Sequence, residues 1–150
     1  MYEYLKKLIE ESNILHQGSK GDVEVTWIDE AENKLGYKLP LTYRWWLLEY
    51  GSGFLDGFPI YTLAPPDFRM NADADLLYAD KINRLNGMTK SGRLYFYEPD
   101  GDQRFFFDMD EKVGDLDNPV MVEDIVEQEI KEYGGNFLFF LEKEIRLRKY

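Results

Sequence analysis

A Leu-Pro step at residues 39–40 constrains the fold of this chain most, because it joins two short patterns of helical spacing. The first pattern starts at Thr26, whose hydroxyl suits an N-cap, and ends before Gly36, which can take the left-handed conformation that closes a helix. One mostly apolar stripe runs along it, made of Ile28, Ala31, Glu32 and Leu35. The sequence therefore predicts a first short helix here.

The second pattern follows the Leu-Pro step directly. Pro40 suits a first helical position, since its missing N–H would have no partner there. A wide stripe at i, i+3, i+4 and i+7 then needs burial, and it consists of Tyr43, Trp46, Leu47 and Tyr50. Trp45 lies on the other side of this helix, where a partly exposed tryptophan beside acids is a candidate anchor for a binding partner. Gly51 and Gly53 end the helix and begin a turn.

The rest of the chain adds strands, which predicts an α+β fold with a mostly antiparallel sheet. Runs of β-prone residues mark four strands, at 58–63, 94–97, 104–107 and 119–122. The residues between the second and third of these runs, Pro99-Asp100-Gly101-Asp102, have the composition of a turn.

Further helices are predicted near the N-terminus, over residues 4–12, and from Asn136 to the C-terminus. A short helix at 75–85 is expected to turn Leu77, Ile82 and Leu85 inward. The single histidine, His16, is placed in a surface loop. We expect the helices to pack around the sheet in one domain that covers residues 1–150.

The charge of the chain is strongly acidic and uneven. Its 29 Asp and Glu residues outnumber 18 Lys and Arg residues, which gives a formal net charge of −11. Residues 98–132 alone hold 13 acidic and 3 basic side chains, so almost the whole excess lies in one segment. Such a chain repels phosphate backbones, and nucleic-acid binding is not expected.

Several other classes are disfavoured. The sequence lacks cysteine, which fits a reducing cytoplasm. Its first residues, MYEYLKKLIEES, show no apolar core of a secretory signal, and no apolar run approaches the roughly 20 residues of a membrane helix. We therefore expect a cytoplasmic protein without membrane contact.

Catalytic and metal-binding motifs are absent from the sequence. It has no Gly-x-Ser-x-Gly, no phosphate-binding glycine loop and no His-Glu-x-x-His. A calcium loop starting at Asp108 would need Gly and Glu at positions that hold Val113 and Pro119. We expect no cofactor, no metal and no turnover. Paired carboxylates such as Glu98 and Asp108 leave carboxylate-based catalysis as an alternative.

The order of these motifs resembles the SUKH superfamily, which is named after the fungal Smi and Knr cell-wall regulators. The matching positions in the helical half are Glu32, Leu35, Gly36, Leu39, Pro40, Tyr43, Leu47, Gly51 and Gly53. Ser52 interrupts the glycine pair of the family pattern. In the strand half they are Asp100, Gly101, Asp102, Phe107, Asp108, Pro119 and Val120, and the final helix carries a Phe-x-x-Phe-Leu motif. The resemblance covers roughly residues 26–145.

The resemblance implies function as well as fold. Bacterial SUKH proteins are typically immunity proteins encoded beside polymorphic or contact-dependent toxins, many of them nucleases. It therefore implies an immunity protein that binds a basic toxin domain, and an acidic surface would complement such a partner. The fungal members imply an alternative, a non-catalytic regulatory scaffold for cell-wall assembly. A third reading is that the acids only keep the domain soluble.

Candidate residues for the partner site lie at and after the turn between the predicted strands. Acids there are expected to fan outward, and we single out Glu98, Asp100, Asp102 and Asp110, with Trp45 as a separate anchor. Asp108 is also part of the family pattern, and we expect it to hold a backbone amide rather than a partner. The other motif residues are expected to be structural.

Overall fold

The computed structural model describes residues 2–12, 15–71, 74–99, 101–114 and 116–148, except for the side chains of residues 69–71. Within them the helices are α1 (Tyr2–Ser12), α2 (Val25–Leu35), α3 (Leu41–Tyr50), α4 (Leu76–Leu85) and α5 (Phe137–Leu147), with a 3-10 helix at Pro66–Asn71. The strands are β1 (His16–Gln17), β2 (Gly53–Leu55), β3 (Phe58–Ile60), β4 (Arg93–Tyr97), β5 (Gln103–Asp108), β6 (Val120–Asp124) and β7 (Glu129–Gly134).

The strands form one sheet in the order β1 to β7, so each strand pairs with the next one along the chain. All of these pairings are antiparallel. Short turns can join such neighbours, which is why the chain needs no long crossover between β4 and β7. The predicted α+β class with a mostly antiparallel sheet is confirmed.

The helices α3 and α5 provide most of the core on one face of the sheet. Tyr43, Trp46 and Leu47 are fully buried, as their spacing predicts. The ring of Tyr43 lies 5.2 Å from those of Phe107 on β5 and Phe137 on α5. Phe140 and Leu141 on α5 are buried as well, whereas Trp27 on α2 is only partly buried against this core.

The starts of both organising helices differ slightly from the prediction. The N-cap of α2 is Glu24, whose side chain makes no capping bond, so Thr26 lies inside the helix instead of capping it. Pro40 is the N-cap of α3 rather than its first helical residue, with an extended backbone that its ring favours. Gly36 closes α2 as predicted, in the left-handed conformation at φ 85°.

Three strands were not predicted from the sequence, β1, β2 and β7. In β1, His16 pairs with Phe54 of β2, in a region predicted to be loop and turn, because backbone pairing needs no β-prone side chain. In β7, Glu129 and Glu132 are exposed and charged, as edge strands often are. The predicted strand at 58–63 ends earlier, at Ile60.

The short helix α4 is confirmed, but its buried side is different. Leu76 and Asp80 face the core, while Leu85 is 72% exposed and the prediction that it turns inward is wrong. Asp75 caps this helix by accepting a hydrogen bond from the Tyr78 N–H at 2.9 Å. A carboxylate in that place satisfies one of the free amides of the first turn.

Candidate partner-binding surface

The acid of the helical motif, Glu32, is buried and holds the Leu-Pro step. One oxygen of its carboxylate accepts a hydrogen bond from the backbone N–H of Leu39 at 2.8 Å. The other carboxylate oxygen lies 3.6 Å from the Lys38 ammonium nitrogen and 4.0 Å from a guanidinium nitrogen of Arg44. Glu32 therefore links the end of α2 to the start of α3, as a structural residue should.

The aromatic and glycine positions of the motif are also structural. The hydroxyl of Tyr43 donates to the Tyr61 carbonyl at 2.5 Å, and burial raises the pKa of this phenol well above its ordinary value. The carbonyl of Gly51 accepts from the Thr62 hydroxyl. At Gly53, any Cβ would approach both Leu15 and Trp46 to 2.9 Å, so the β2 backbone lies against the core at a distance that favours glycine.

A second buried carboxylate, Asp117, was not predicted from the sequence as a functional or structural residue. It accepts from the Thr42 N–H at 3.4 Å and from its hydroxyl at 3.0 Å. The hydroxyl oxygen of Thr42 in turn accepts from the Phe137 N–H at 3.2 Å. Asp117 thereby caps α3 from a distant segment and ties it to the start of α5. The sequence gives one indication that α3 needs a capping group from elsewhere in the chain, which is that the side chain of Pro40 cannot cap a helix.

Glu98, the first predicted partner residue, is engaged inside the protein. It accepts a hydrogen bond from Asn83 at 2.7 Å and pairs with buried Arg104 at 3.3 Å. Arg104 also pairs with Glu123 at 3.2 Å, and its guanidinium lies 3.8 Å from the ring centre of Tyr95. This network covers Tyr95, whose ring lies 5.0 Å from that of Phe106, and both rings are buried on the sheet face away from α3 and α5.

The other predicted acids lie at the two ends of β5, roughly 17 Å apart along a strand of this length. Asp102 is exposed at one end, and its carbonyl accepts from the Ile125 N–H at 2.7 Å, which places it beside the β6–β7 turn. Asp110 is exposed at the other end. Its N–H donates to the Asp108 carboxylate at 3.1 Å, so Asp108 holds a backbone amide as expected. Asp100 lies outside the described residues.

Asp108 and Asp110 line one cavity of about 270 Å³ on the outer sheet face. Lys90 and Arg93 line the same cavity, but the ion pairs found among the described residues include neither aspartate. Trp45 lies on α3 and not on the strand whose ends carry these acids. Its ring lies 4.6 Å from that of Tyr2 on α1, and it is partly exposed.

Apolar side chains accompany the acids on this part of the molecule. Five of them are more than 40% exposed, namely Val113, Leu116, Ile125, Val126 and Ile130. We call the exposed residues of 101–114 and 116–132 the acidic surface. Among the described residues, the ion pairs of this surface leave five exposed acids without a cationic partner, namely Asp102, Asp110, Glu111, Glu127 and Glu132. The acidic surface is thus a mixture of free carboxylates and apolar groups.

Neither a metal centre nor a membrane segment is found in the part of the chain that the structure describes. No group of three or more His, Cys, Asp or Glu side chains there has a metal-binding arrangement. No described helix has the length and apolar character needed to cross a bilayer.

The seven-stranded antiparallel sheet, the buried motif acid and the Leu-Pro step between two helices define a SUKH-type α+β domain. The model of the family described as SMI1-KNR4 cell-wall (SUKH_6) matches residues 25–141, and the chain belongs to that family. The SUKH family covers immunity proteins and Smi1/Knr4-type regulators and is generally non-catalytic. A comparison with curated proteins finds no match.

Proposed function

We propose that this chain is an immunity protein that binds and neutralises a cognate toxin domain through its acidic surface. The partner is a basic domain, with a nuclease as the expected class, because a nuclease must present positive charge to phosphate. The chain acts by binding, without turnover and without a cofactor. Its proposed place of action is the cytoplasm.

The observation that carries this proposal is the mixed character of the acidic surface. Carboxylates that only keep a protein soluble need no exposed apolar neighbours, whereas interfaces combine an apolar centre with a polar rim. Ile125 and Val126 sit at the β6–β7 turn beside exposed Asp102. This arrangement offers an apolar contact surrounded by negative charge.

Each predicted residue has a place in the proposal. Asp102 and Asp110 contact the partner directly, because both are exposed. Glu98 positions Arg104 and contributes charge at the edge of the surface. Asp100, between them in sequence, is proposed as a further contact. Trp45 remains a separate candidate anchor, since its ring is held by Tyr2 and is still partly exposed.

The experiment is co-expression with the toxin encoded beside this gene. Cells that make the toxin domain should survive when they also make the wild-type chain, and the two proteins should co-purify. Asp102→Lys should weaken protection, while Glu11→Lys, an equal charge change on the exposed side of α1, should not. Loss of protection in both variants, or in neither, would count against the acidic surface.

The regulatory scaffold remains a second candidate because the matching family description refers to the cell wall. The scaffold would be favoured if no toxin gene lies beside the gene for this chain and if the chain protects cells against no toxin. Both candidates are non-catalytic, so activity of the purified chain on sugars or phosphoesters would contradict both.

A further inference from the structure

Helix α4 has a second side-chain stripe that the core does not use. Leu76 and Asp80 are buried, whereas Leu77, Lys81, Arg84 and Leu85 recur at i, i+4, i+7 and i+8 and share another side of the helix. This stripe faces the end of α2, where Lys34 and Leu35 complete an open groove of about 460 Å³.

The groove has an apolar floor and a basic rim. Leu35, Leu77 and Leu85 line it, and Leu77 and Leu35 are only partly buried against the core. Lys34, Lys81 and Arg84 supply positive charge around them. Asp80 neutralises part of it by pairing with Arg84 at 2.7 Å.

The positive charge around the groove is unusual for this acidic molecule. The chain carries a net charge of −11, yet the groove is lined by three cations and one acid. Ion pairs found among the described residues include neither Lys34 nor Lys81. A nuclease-like basic surface would be repelled here, so the groove suits a different ligand from the acidic surface.

We propose that this groove docks an acidic amphipathic segment of a protein partner. The apolar face of the segment contacts Leu35, Leu77 and Leu85, and its carboxylates pair with Lys34 and Lys81. An amphipathic segment suits the site better than a small molecule, because Leu85 is 72% exposed and pockets for small ligands enclose most of their ligand. This inference is independent of toxin binding.

The test is methyl NMR of the full chain with two synthetic helical peptides of 14 residues. One places Leu at i, i+3, i+4 and i+7 with Glu on its other faces, and the second has Lys in place of Glu. The Glu peptide should shift the methyl signals of Leu35, Leu77 and Leu85, and the Lys peptide should not. No shift of these methyls with the Glu peptide at millimolar concentration, or equal shifts with both peptides, would overturn the proposal.

Charge-reversal variants locate the contact. Lys34→Glu with Lys81→Glu should weaken binding of the Glu peptide about tenfold, the effect of losing two exposed ion pairs and gaining repulsion. The matched double variant Lys7→Glu with Lys112→Glu makes the same charge change elsewhere and should bind normally. Equal affinities in the two double variants would overturn the proposal.

Two further results distinguish a partner segment in the groove from the toxin domain and from a second copy of this chain. Asp102→Lys should leave binding of the Glu peptide unchanged, so failure of the toxin proposal would not affect this one. Shifts of the Leu77 and Leu85 methyls that depend on protein concentration without peptide would assign the groove to a second copy and overturn the partner segment.

Discussion

The acidic side chains of this protein divide into two regions that do opposite things. Glu32 and Asp117 are 6% and 7% exposed and accept hydrogen bonds from the backbone N–H groups of Leu39, in the Leu-Pro step, and of Thr42, just after it. Asp102 and Asp110, on the acidic surface, are exposed and without a cationic partner among the described residues. The same functional group stabilises the fold in one region and remains available to a partner in the other.

The difference shows that position in the fold, rather than charge, decides what an acid does. A buried carboxylate must have hydrogen-bond donors around it, so its removal leaves those donors unsatisfied. An exposed carboxylate is solvated, and its removal changes mainly the electrostatic potential of the surface. Variants should therefore separate into those that change unfolding and those that change association.

The largest effect is expected in the core that the buried acids support. Trp46→Ala should lower the free energy of unfolding by about 3–5 kcal/mol, because Trp46 is fully buried between α3, α5 and β2. Urea unfolding measures it. Trp45→Ala is the matched control and should cost clearly less, since Trp45 is partly exposed. An unchanged urea midpoint for Trp46→Ala would contradict this placement of the core.

The next effect concerns the buried acids themselves. Glu32→Ala should destabilise the protein by about 1–3 kcal/mol, because the Leu39 N–H loses its acceptor. Glu32→Gln keeps an acceptor oxygen and should cost less. Thermal melts of both variants test this. Equal stability of Glu32→Ala and the wild type would show that Glu32 does not stabilise the fold.

Asp117→Ala removes the acceptor for two donors of Thr42 at the start of α3. Loss of such a helix cap costs about 0.5–2 kcal/mol, and Asp117→Asn should recover part of it. Chemical denaturation measures the difference. If Asp117→Ala left the free energy of unfolding unchanged, as is expected for substitutions on the acidic surface, Asp117 would not belong to the stabilising acids.

Alkaline unfolding tests the buried core independently of the carboxylates. Burial raises the pKa of Tyr97 to about 12, from an ordinary value of 10.0, and its hydroxyl donates to the Leu55 carbonyl. The unfolded chain then loses this proton first, so stability present below pH 10 should decline as the pH rises toward 12. Tyr97→Phe should reduce the slope of stability against pH, and an unchanged slope would assign the decline to other groups.

The predictable parts of the molecule are those fixed by local periodicity. The stripe of α3 repeats every 3.6 residues, and burial of Tyr43 and Trp46 follows from it. The structural role of Asp117 was not predicted because its partner Thr42 lies 75 residues away in the chain. Strand β7 was not predicted because its charged residues carry no apolar pattern, and among the described strands it pairs with β6 only. Leu85 was placed wrongly because the packing of α4, not its sequence, selects which stripe is buried.

The candidate site was predictable only in outline. The concentration of acids in residues 98–132 is visible in the sequence, but the pairing of Glu98 with Arg104 depends on the bulged register of β4 and β5. The proximity of Asp102 to Ile125 likewise requires the pairing of β5 with β6. Such contacts are non-local, so composition identified the segment and the sheet determined which residues remain exposed.

The smallest effects on stability, and the most direct test of the account, belong to Asp102→Lys and Asp110→Lys. Both should change the free energy of unfolding by no more than about 0.5 kcal/mol, as exposed substitutions do. The decisive measurement is the association rate of each variant with the basic toxin domain over a salt series. The account predicts slower association than wild type and Glu11→Lys, most strongly at low salt. Wild-type rates for both reversals at low ionic strength would contradict it and place the partner elsewhere.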